Sequence, residues 1–340
     1  MSTKRVVLSD VAKLAGVSKA TVSRYLNHSL TLPQQTATRI EKAIEQTHYQ
    51  RNTLARRLSK GGSETIGLVI PDITNPFFAQ LADAAESTAA EYGYSLVLCI
   101  SRNDYRKEHQ FIQWLDSCQV DGLLFITNKP KHSAELKKLI SGRKDIVLVD
   151  EDIKGVSSSK VFADNVQGGL LATRRLIKAG HRKIAYIGGP ERLMSVKERF
   201  LGYRSAIEEA GITYKNDWVC YGDYARHFGH KAIQYLMQLE DIPTSVFAGS
   251  DYIALGVLDG LKDLGITIPD MLSIAGYDDA YFADLLSPRI STVRQPFQEM
   301  GKTAVELLIS QITQENIRIK NVRLPVEWVE RESIQVIAPF

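Results

Sequence analysis

The chain has 340 residues, 44% hydrophobic and 24% charged, and a formal net charge of +3. This composition and length predict two or three folded domains and exclude disordered, collagen-like and disulfide-stapled classes. The chain has no run of about 18 apolar residues, which a membrane span would need. The N-terminal residues do not resemble a secretory signal, and the widely spaced cysteines predict reduced thiols. We therefore expect a cytoplasmic protein without metal, cofactor or membrane contact.

The near-neutral net charge conceals two unlike regions. Residues 1–62 carry eleven Lys and Arg against three acids, a net of +8. The remainder carries 31 basic and 36 acidic residues, a net of −5. A compact basic segment joined to a mildly acidic body predicts a module that binds a polyanion.

Residues 1–50 show helical and no strand periodicity. Ser9 is placed to cap a first helix that Gly16 ends, with an apolar side of Val11, Ala12 and Leu14. Ser18 is placed to cap a second helix, in which Val22 and Leu26 share a face. Pro33 suits the first turn of a third helix, whose apolar residues are Ala37, Ile40, Ala43 and Ile44. Three such short helices predict a helix-turn-helix unit.

The segment RNTLARRLSKGGSE separates this unit from the rest. Residues 52–58 favour a helix, but they span about two turns, too few for an isolated helix to be stable in water. Residues 59–63, with Gly61 and Gly62, predict a flexible linker.

From about residue 64, apolar β-rich runs alternate with amphipathic helical stretches. These runs are TIGLVIP, YSLVLCI, DGLLFIT, DIVLVDE, KIAYIGG, TSVFAGS and LSIAGYDD. Near-continuous apolar strands separated by helices indicate parallel βαβ layers. The pattern is too long for one usual open sheet, so we predict two similar α/β subdomains. Gly93, Gly180, Gly211 and Gly265 fit the left-handed position after a helix.

The stretch AGVSKATVSRYLN is the most specific signal for DNA binding. A recognition helix presents small or polar residues at its N-terminal end to base edges, and Ser18, Lys19, Ala20 and Thr21 occupy that end. Arg24, one turn further, could contact guanine or a phosphate. The alternative is a small helical domain whose basic face is merely solvated.

Polar residues follow several predicted strands, where the ligands of α/β proteins usually bind. They are Asp72, Asp164, Asn165, Asp251, Asp278 and Asp279. Carboxylates and amides can each hydrogen-bond sugar hydroxyls. For any single aspartate, capping a helix or satisfying a loop is the alternative function.

Two other protein classes fit the sequence less well. The chain has no P-loop, HExxH, GxSxG or GxGxxG motif in the required context, so we predict no catalytic residues. Fold alone does not imply chemistry. A transport-type solute-binding protein would need an export signal and no basic helical head.

Taken together, these motifs resemble the LacI/GalR family of bacterial repressors. The resemblance covers nearly the whole chain, and its motifs include DVAKLAGVSKATVSRYLN, YQRNTLARRLSKGGSETIGLVIPDITNPFF, GHRKIAYIGG, ERFLGYRSAIEEAGI and LSPRISTVRQPFQEMG. It implies an all-α helix-turn-helix domain and a two-lobed α/β core like that of periplasmic binding proteins, with parallel sheets and Rossmann-like subdomains. The implied segments are a head at 1–50, a hinge helix and linker at 51–63, and a core at 64–340. Within the core, the N-subdomain covers about 64–162 and 294–325, and the C-subdomain about 163–293 and 326–340.

The resemblance also implies the DNA-contacting residues. The recognition-helix set is Ser18, Lys19, Ala20, Thr21, Ser23 and Arg24, and the hinge set is Asn52, Ala55 and Leu58. Asn27 and Tyr49 would support backbone contacts and the packing of the head. Leu58 matches the leucine that wedges into the minor groove. Arg51 stands where the family usually has proline, and a cation there would contact phosphate.

Effector contacts are implied in the same way. The set is Asp72, Phe77, Phe78, Phe162, Ser195, Arg199, Tyr224, Ser250, Asp251 and Asp278. Ser250 departs from the commoner asparagine. Lys197, close to Arg199, would favour a sugar acid or phosphate over a neutral sugar, although an exposed lysine is the alternative.

The implied function is a transcriptional repressor that binds a palindromic DNA operator as a homodimer and lies on the nucleoid when bound. The tail RESIQVIAPF is strand-like and lacks heptads, which predicts dimers and not tetramers. We expect a sugar or sugar acid as the effector, with a purine or nucleoside as the alternative.

Overall fold

The computed structural model describes residues 6–26, 30–49, 62–129, 131–314 and 318–337. Its contacts divide the chain into two compact units, with the boundary in the sequence between Ser63 and Glu64. We call the first unit the head and the second the body. None of the described helices is long and apolar enough to cross a membrane.

The described residues of the head form three helices, α1 (Leu8–Ala15), α2 (Lys19–Leu26) and α3 (Gln34–Thr47). Their buried faces form a small core of Val11, Ala12, Ala15, Val22, Ile40 and Ala43. Leu14 does not belong to this core. Leu14 is 53% exposed, because it lies on a different side of α1 from the buried face that carries Val11 and Ala15.

The ends of the head helices follow the predicted signals at Gly16 and Ser18 but not at Ser9 or Pro33, since Pro33 is the N-cap of α3 and not part of its first turn. Gly16 ends α1 in the left-handed conformation (φ +65°), and the Thr21 amide donates to Ser18 Oγ over 3.0 Å at the start of α2. The predicted cap at Ser9 is wrong, since α1 begins one residue earlier. There the Asp10 carboxylate accepts from the Val7 amide over 2.9 Å, and Ser9 lies within the first turn.

The first lobe of the body is built on a six-stranded parallel sheet in the order β11-β5-β4-β3-β1-β2. The strands are β1 (Thr65–Ile70), β2 (Ser95–Ile100), β3 (Gly122–Phe125), β4 (Ile146–Val149), β5 (Ser159–Ala163) and β11 (Asn321–Leu324). The helices are α4 (Pro76–Glu91), α5 (Tyr105–Asp116), α6 (Ala134–Ile140) and α11 (Phe297–Thr313).

The second lobe repeats this plan in the order β12-β10-β9-β8-β6-β7, with only β12 antiparallel to its neighbour β10. Its strands are β6 (Ile184–Gly188), β7 (Val219–Tyr221), β8 (Ser245–Ala248), β9 (Ser273–Asp278), β10 (Ser291–Arg294) and β12 (Glu327–Val329). Its helices are α7 (Asn165–Lys178), α8 (Met194–Glu209), α9 (Arg226–Leu236) and α10 (Asp251–Asp263), and short 3₁₀ turns lie at Asn216–Trp218 and Tyr281–Asp284.

All seven predicted apolar runs form strands, and the four glycines have φ between +64° and +101°. Five strands are absent from those predicted runs, namely β5, β7, β10, β11 and β12, because each has only three to five residues, of which at most three in a row are apolar. The tail was also predicted as strand-like, but residues 330–337 form no strand. Instead the Ser333 carbonyl accepts from the Ile274 amide at the start of β9.

Within the described residues the chain crosses between the lobes three times: after β5, after β10 and between β11 and β12. Because the sheets are parallel, the carboxyl ends of their central strands face the same gap between the lobes. Residues that follow β3, β4, β8 and β9 therefore meet there although they are distant in sequence.

Candidate functional site

The head presents a polar helix surface on a small rigid core. Ser18, Lys19, Ala20 and Arg24 are exposed, and Thr21 and Ser23 are half-buried. Val22 on the opposite face is fully buried. The Tyr25 hydroxyl donates to Glu41 over 2.6 Å, which ties α2 to α3. All six residues predicted on the recognition helix thus lie on α2 or its cap, in a geometry that suits contacts with base edges.

The remaining predicted DNA contacts are placed only in part. Tyr49 packs against the head core. Asn27, Arg51, Asn52, Ala55 and Leu58 lie outside the described residues.

The body contains a cleft between its lobes. Its lining consists of Asn75, Phe77, Phe78, Asn128, Asp150, Ser195, Arg199, Tyr224, Ser250, Asp278 and Gln295. Seven of the ten predicted effector residues are among them. The volume open to the centre of a water molecule is only about 20 Å³, which is room for one water. The side chains of the cleft therefore fill it almost completely.

Arg199 is the central cation of the cleft and is only 3% exposed. Its Nε donates to Asn165 Oδ1 over 2.9 Å, and its Nη1 donates to the Gly249 carbonyl over 2.6 Å. Its guanidinium lies 3.8 Å from the ring centroid of Tyr277. A buried arginine needs such partners, because an unpaired buried charge is strongly unfavourable.

Close packing of two helices holds Arg199 in place. A Cβ atom added at Gly169 on α7 would lie 2.1 Å from the Arg199 carbonyl oxygen. A Cβ atom added at Gly202 on α8 would lie 2.2 Å from the Val166 carbonyl oxygen. Glycines at both positions let the two backbones approach, which sets where the arginine side chain enters the cleft.

Asp278 faces Arg199 from the end of β9, with its Oδ1 3.8 Å from Arg199 Nη1. Gln295 Nε2 donates to the same oxygen over 2.7 Å. Burial raises the pKa of Asp278 to about 7, although the nearby guanidinium acts in the opposite direction. The Asp278 carboxyl group therefore accepts one hydrogen bond, from Gln295, and faces one cation, Arg199.

Two consecutive acids, Asp150 and Glu151, follow β4. Burial raises the pKa of both carboxyl groups. For Glu151, burial and the adjacent Asp150 together raise the pKa to about 8. Glu151 accepts from the Met194 amide over 2.9 Å and from the Ser195 hydroxyl, both at the start of α8. Since β4 belongs to the first lobe and α8 to the second, Glu151 joins the two lobes.

Sequence reasoning missed four cleft residues, Asn75, Asn128, Asp150 and Gln295. Asp150 could have been found, because it follows the predicted strand DIVLV as the chosen aspartates follow theirs. Gln295 follows β10, which was not a predicted run. Asn75 caps α4 by accepting from the Phe77 amide over 3.1 Å. In the sequence, its position before a helix indicates a cap and not a ligand contact.

Three predicted effector residues do not line the cleft. Asp72 is exposed and accepts from Thr74 within a tight turn, at 2.7 and 2.9 Å. Phe162 is buried, with the Arg323 guanidinium 5.8 Å from its ring centroid. Asp251 accepts from Thr292 Oγ1 and the Ala280 amide over 2.7 and 2.8 Å, so its hydrogen bonds join α10 to neighbouring segments.

Comparisons with known proteins agree with this division into head and body. Residues 7–52 match the family described as bacterial regulatory proteins, lacI family, and residues 173–334 match a periplasmic binding protein-like domain. Over 332 residues the chain is 33% identical to the HTH-type transcriptional repressor PurR of Vibrio vulnificus strain CMCP6, with 97% of this chain and 99% of that protein covered.

The chain belongs to the LacI family of bacterial regulatory proteins.

Solved structures agree with this assignment. A transcriptional regulator CelR–cellobiose complex is 31% identical, with a TM-score of 0.72 over 97% of this chain and 100% of that one. The transcription regulator CcpA of Lactococcus lactis is 26% identical, with a TM-score of 0.73 over 80% and 99%. The lac repressor dimer bound to operator, at 24% identity, shows the same fold with a TM-score of 0.87 over 98% and 100%.

These relatives confirm the predicted family, the helix-turn-helix head and the two-lobed parallel α/β core. They are transcription regulators, which confirms the prediction that this LacI-family chain is not an enzyme. Its function is DNA-binding regulation of transcription.

Proposed function

We propose that this LacI-family protein is a cytoplasmic repressor whose affinity for a DNA operator is set by a small molecule bound in the cleft. The observation that carries the proposal is that one chain combines an exposed polar recognition helix with a buried, charged cleft between two lobes. The PurR repressors that it resembles extend over 96–97% of its length.

The effector should offer hydrogen-bond donors. Asp150 Oδ1 and Gln295 Oε1 both line the cleft and are buried, and neither has a hydrogen-bond partner among the described residues. An unsatisfied buried acceptor is unfavourable, so a ligand with N–H or O–H groups would stabilise both.

The effector should not be an anion. The carboxyl groups of Asp150 and Asp278 line the cleft beside the single guanidinium of Arg199, so an anionic ligand would meet two acids for one cation. Lys197, which was expected to favour a sugar acid, is exposed and does not line the cleft. These contacts favour a neutral ligand.

A purine base or nucleoside fits these requirements best. Phe77, Phe78 and Tyr224 supply aromatic faces for a planar ring, while Asp150 and Gln295 supply acceptors for its N–H edge. The similarity to repressors named PurR supports this effector over a sugar. A neutral sugar is the second candidate, because a solved relative with 31% identity is a complex with cellobiose.

Calorimetric titration of the full chain tests the effector class. We expect purine bases or nucleosides to bind, neutral sugars to bind more weakly, and a sugar acid not to bind. Asp278→Ala should abolish the response of operator binding to the effector while DNA binding itself remains. Tight binding of a sugar acid would contradict the charge argument, and tight binding of a neutral sugar alone would favour the second candidate.

We expect effector binding to change the arrangement of the lobes, because the space in the cleft, about one water molecule, is too small for a purine ring. A ligand that binds one arrangement better shifts the equilibrium toward it, and this shift is the proposed link to operator affinity. Small-angle scattering with and without saturating effector measures the change. Identical curves would contradict this mechanism.

We propose a homodimer as the operator-binding form. The body exposes apolar side chains on the edge strand β2, where Val97 and Leu98 are 38% and 37% exposed, and near β9, where Tyr281 and Leu285 are 67% and 76% exposed. Exposed apolar patches of this kind mark protein interfaces. Leu285→Glu should shift the sedimentation coefficient to that of a monomer, and a tetramer of the native chain would contradict the dimer.

The hinge prediction has its own experiment. Leu58→Ala should weaken operator binding strongly without changing effector affinity, if Leu58 wedges into the minor groove. Fluorescence anisotropy with a labelled operator measures the first effect and calorimetry the second. Unchanged operator affinity would remove Leu58 from the proposed contacts.

A further inference from the structure

A second groove lies next to the cleft and has the opposite electrostatic character. Its volume is about 630 Å³. The cationic side chains along it are Lys129 and Lys154 from the first lobe and Arg192 and Lys197 from the second. We call this the basic groove. Both lobes therefore contribute positive charge to one concave surface.

The basic groove and the cleft are separated by the contact between Glu151 and α8. Asp150 and Ser195 line the cleft, whereas their chain neighbours Glu151 and Met194 line the basic groove. The hydrogen bonds of Glu151 to Met194 and Ser195 thus form a wall between the two spaces. A ligand in the groove would lie outside the effector cleft.

The acids along the basic groove already have partners. Glu151 is held by the start of α8, Asp152 pairs with Lys160, and Glu198 accepts from both terminal nitrogens of Arg323 over 2.6 and 2.8 Å. Each carboxylate is therefore engaged with a donor of its own. These carboxylates therefore do not form ion pairs with the cations of the groove.

Three of the four cations, by contrast, have no carboxylate partner within the described part of the chain. Lys129 lies 3.4 Å from the buried Glu108, but Lys154, Arg192 and Lys197 form no ion pair there. His132 also lines the groove, and its buried Nδ1 has no hydrogen-bond partner among the described residues. The groove thus offers unpaired donors from both lobes to an anion.

We infer that the basic groove is a binding site for the phosphoryl group of a small metabolite or for inorganic phosphate. Phosphate oxygens accept charge-assisted hydrogen bonds from lysine and arginine, and arginine can bind two of them at once. The inferred ligand is distinct from the neutral molecule proposed for the cleft. The basic groove would hold an anion, and the cleft would hold a neutral ring.

Because the cations come from both lobes, a bound phosphoryl group would stabilise the arrangement of the lobes seen here. Resting on the proposed function, this contact would couple phosphate binding to operator affinity through the same equilibrium as the effector. Binding at the groove can be measured without DNA, so the site and its coupling are tested separately.

The test of the site is calorimetric titration of the full chain with inorganic phosphate, at constant ionic strength to limit nonspecific screening. Glycerol 3-phosphate and glycerol are titrated in parallel to distinguish the two sources of the phosphoryl group. Tighter binding of the ester than of free phosphate identifies a phosphorylated metabolite, and the reverse order identifies free phosphate. Failure of both to bind overturns the inference.

Variants locate the binding. Lys154→Gln, Arg192→Gln and Lys197→Gln each neutralise one exposed cation and should each weaken phosphate binding about tenfold or less, while the triple variant should show no binding. Lys178→Gln, an exposed lysine outside the groove, is the matched control and should bind as the native chain does. Undiminished binding by the triple variant would overturn the site.

The coupling is then read from operator binding. Phosphate should change the operator affinity of the native chain and leave that of the triple variant unchanged. If phosphate binds but operator affinity stays constant, the regulatory part of the inference is overturned. Both outcomes are independent of the cleft, whose effector titration should give the same affinity in the triple variant.

Discussion

The recognition helix and the cleft are both polar binding surfaces, but they are built in opposite ways. On α2 the charged residues Lys19 and Arg24 are exposed, and one buried residue, Val22, anchors the helix. In the cleft the charged residues Arg199, Asp278 and Asp150 are at most 7% exposed. The helix surface comes from one short segment, whereas the cleft is assembled from segments of both lobes.

This difference teaches how each surface depends on the rest of the protein. An exposed residue of α2 can be replaced without leaving an unpaired group inside the fold, so its loss affects recognition. A buried charge in the cleft is held by partners from other segments, so its loss affects stability and binding together. Substitutions on α2 should therefore affect DNA recognition alone, whereas substitutions of buried charges in the cleft should affect both stability and binding.

The largest expected effect is at Arg199. Arg199→Leu removes the cation that faces Asp278 and leaves the Gly249 carbonyl without its guanidinium donor, while Asn165 Oδ1 keeps only the Tyr277 hydroxyl. We expect the free energy of unfolding to fall by about 3–5 kcal/mol, because the buried Asp278 loses the cation that faces it. Denaturant titration measures the loss.

Arg204→Leu is the control for this prediction, since Arg204 lies on the same helix and pairs with Glu208 on the surface. It should cost less than about 1 kcal/mol. Equal losses in both variants would show that burial does not distinguish the cleft arginine.

Arg24→Ala tests the head. It should weaken operator binding by about 1–3 kcal/mol and relax the preference at one or two base positions, with the stability of the chain unchanged within about 0.5 kcal/mol. Anisotropy titrations against single-base operator variants measure both. A loss that is uniform across all sequences would instead assign Arg24 to a phosphate.

Glu151 should make stability depend on pH. Its pKa rises from the usual 4.5 to about 8 because the carboxyl is buried beside Asp150. The folded state therefore keeps a proton that the unfolded state releases above pH 4.5, so the stabilisation is complete below pH 4.5 and is lost as pH rises through 8.

In Glu151→Gln this group no longer titrates. The unfolding free energy of the variant should fall less steeply with pH between 5 and 8, by up to about 1.4 kcal/mol per pH unit. Thermal unfolding across that range measures the slope. If the unfolding free energy falls equally with pH in the variant and in the native chain, the group that keeps the proton is not Glu151.

The smallest effect concerns the start of α2. Ser18→Ala removes the side-chain acceptor of the Thr21 amide and should cost about 1 kcal/mol locally. Hydrogen exchange should show protection of that amide reduced about fivefold. Ser9→Ala is the control, because Ser9 caps nothing, and it should leave exchange in α1 unchanged.

The head was the more predictable region because its signals are local. The turn at Gly16, the cap at Ser18 and the inward face of Val22 each depend on residues within one helical turn. The error at Ser9 has a local cause too, since Asp10 satisfies the amide of Val7 from inside the helix. A competing side chain one residue away was enough to move the cap.

Of the predicted residues that line the cleft, Asp278 came from its position after a strand, and the other six came from the family resemblance. Asp72, Phe162 and Asp251 follow or belong to strands as a ligand contact would, yet each has hydrogen bonds or packing outside the cleft. Which strand end opens into the gap depends on the order of strands in the sheet. That order is fixed by contacts between distant segments, which no local pattern contains.

By itself, the sequence determined the basic head, the alternation of strands and helices, and the family, because charge, periodicity and short motifs are properties of neighbouring residues. The positions of Asp150 and Gln295 in the cleft, the contact of Glu151 between the lobes and the place of Lys197 in a separate basic groove follow from the folded structure instead. The physical reason is that burial and charge pairing are set by partners that the fold brings from far along the chain.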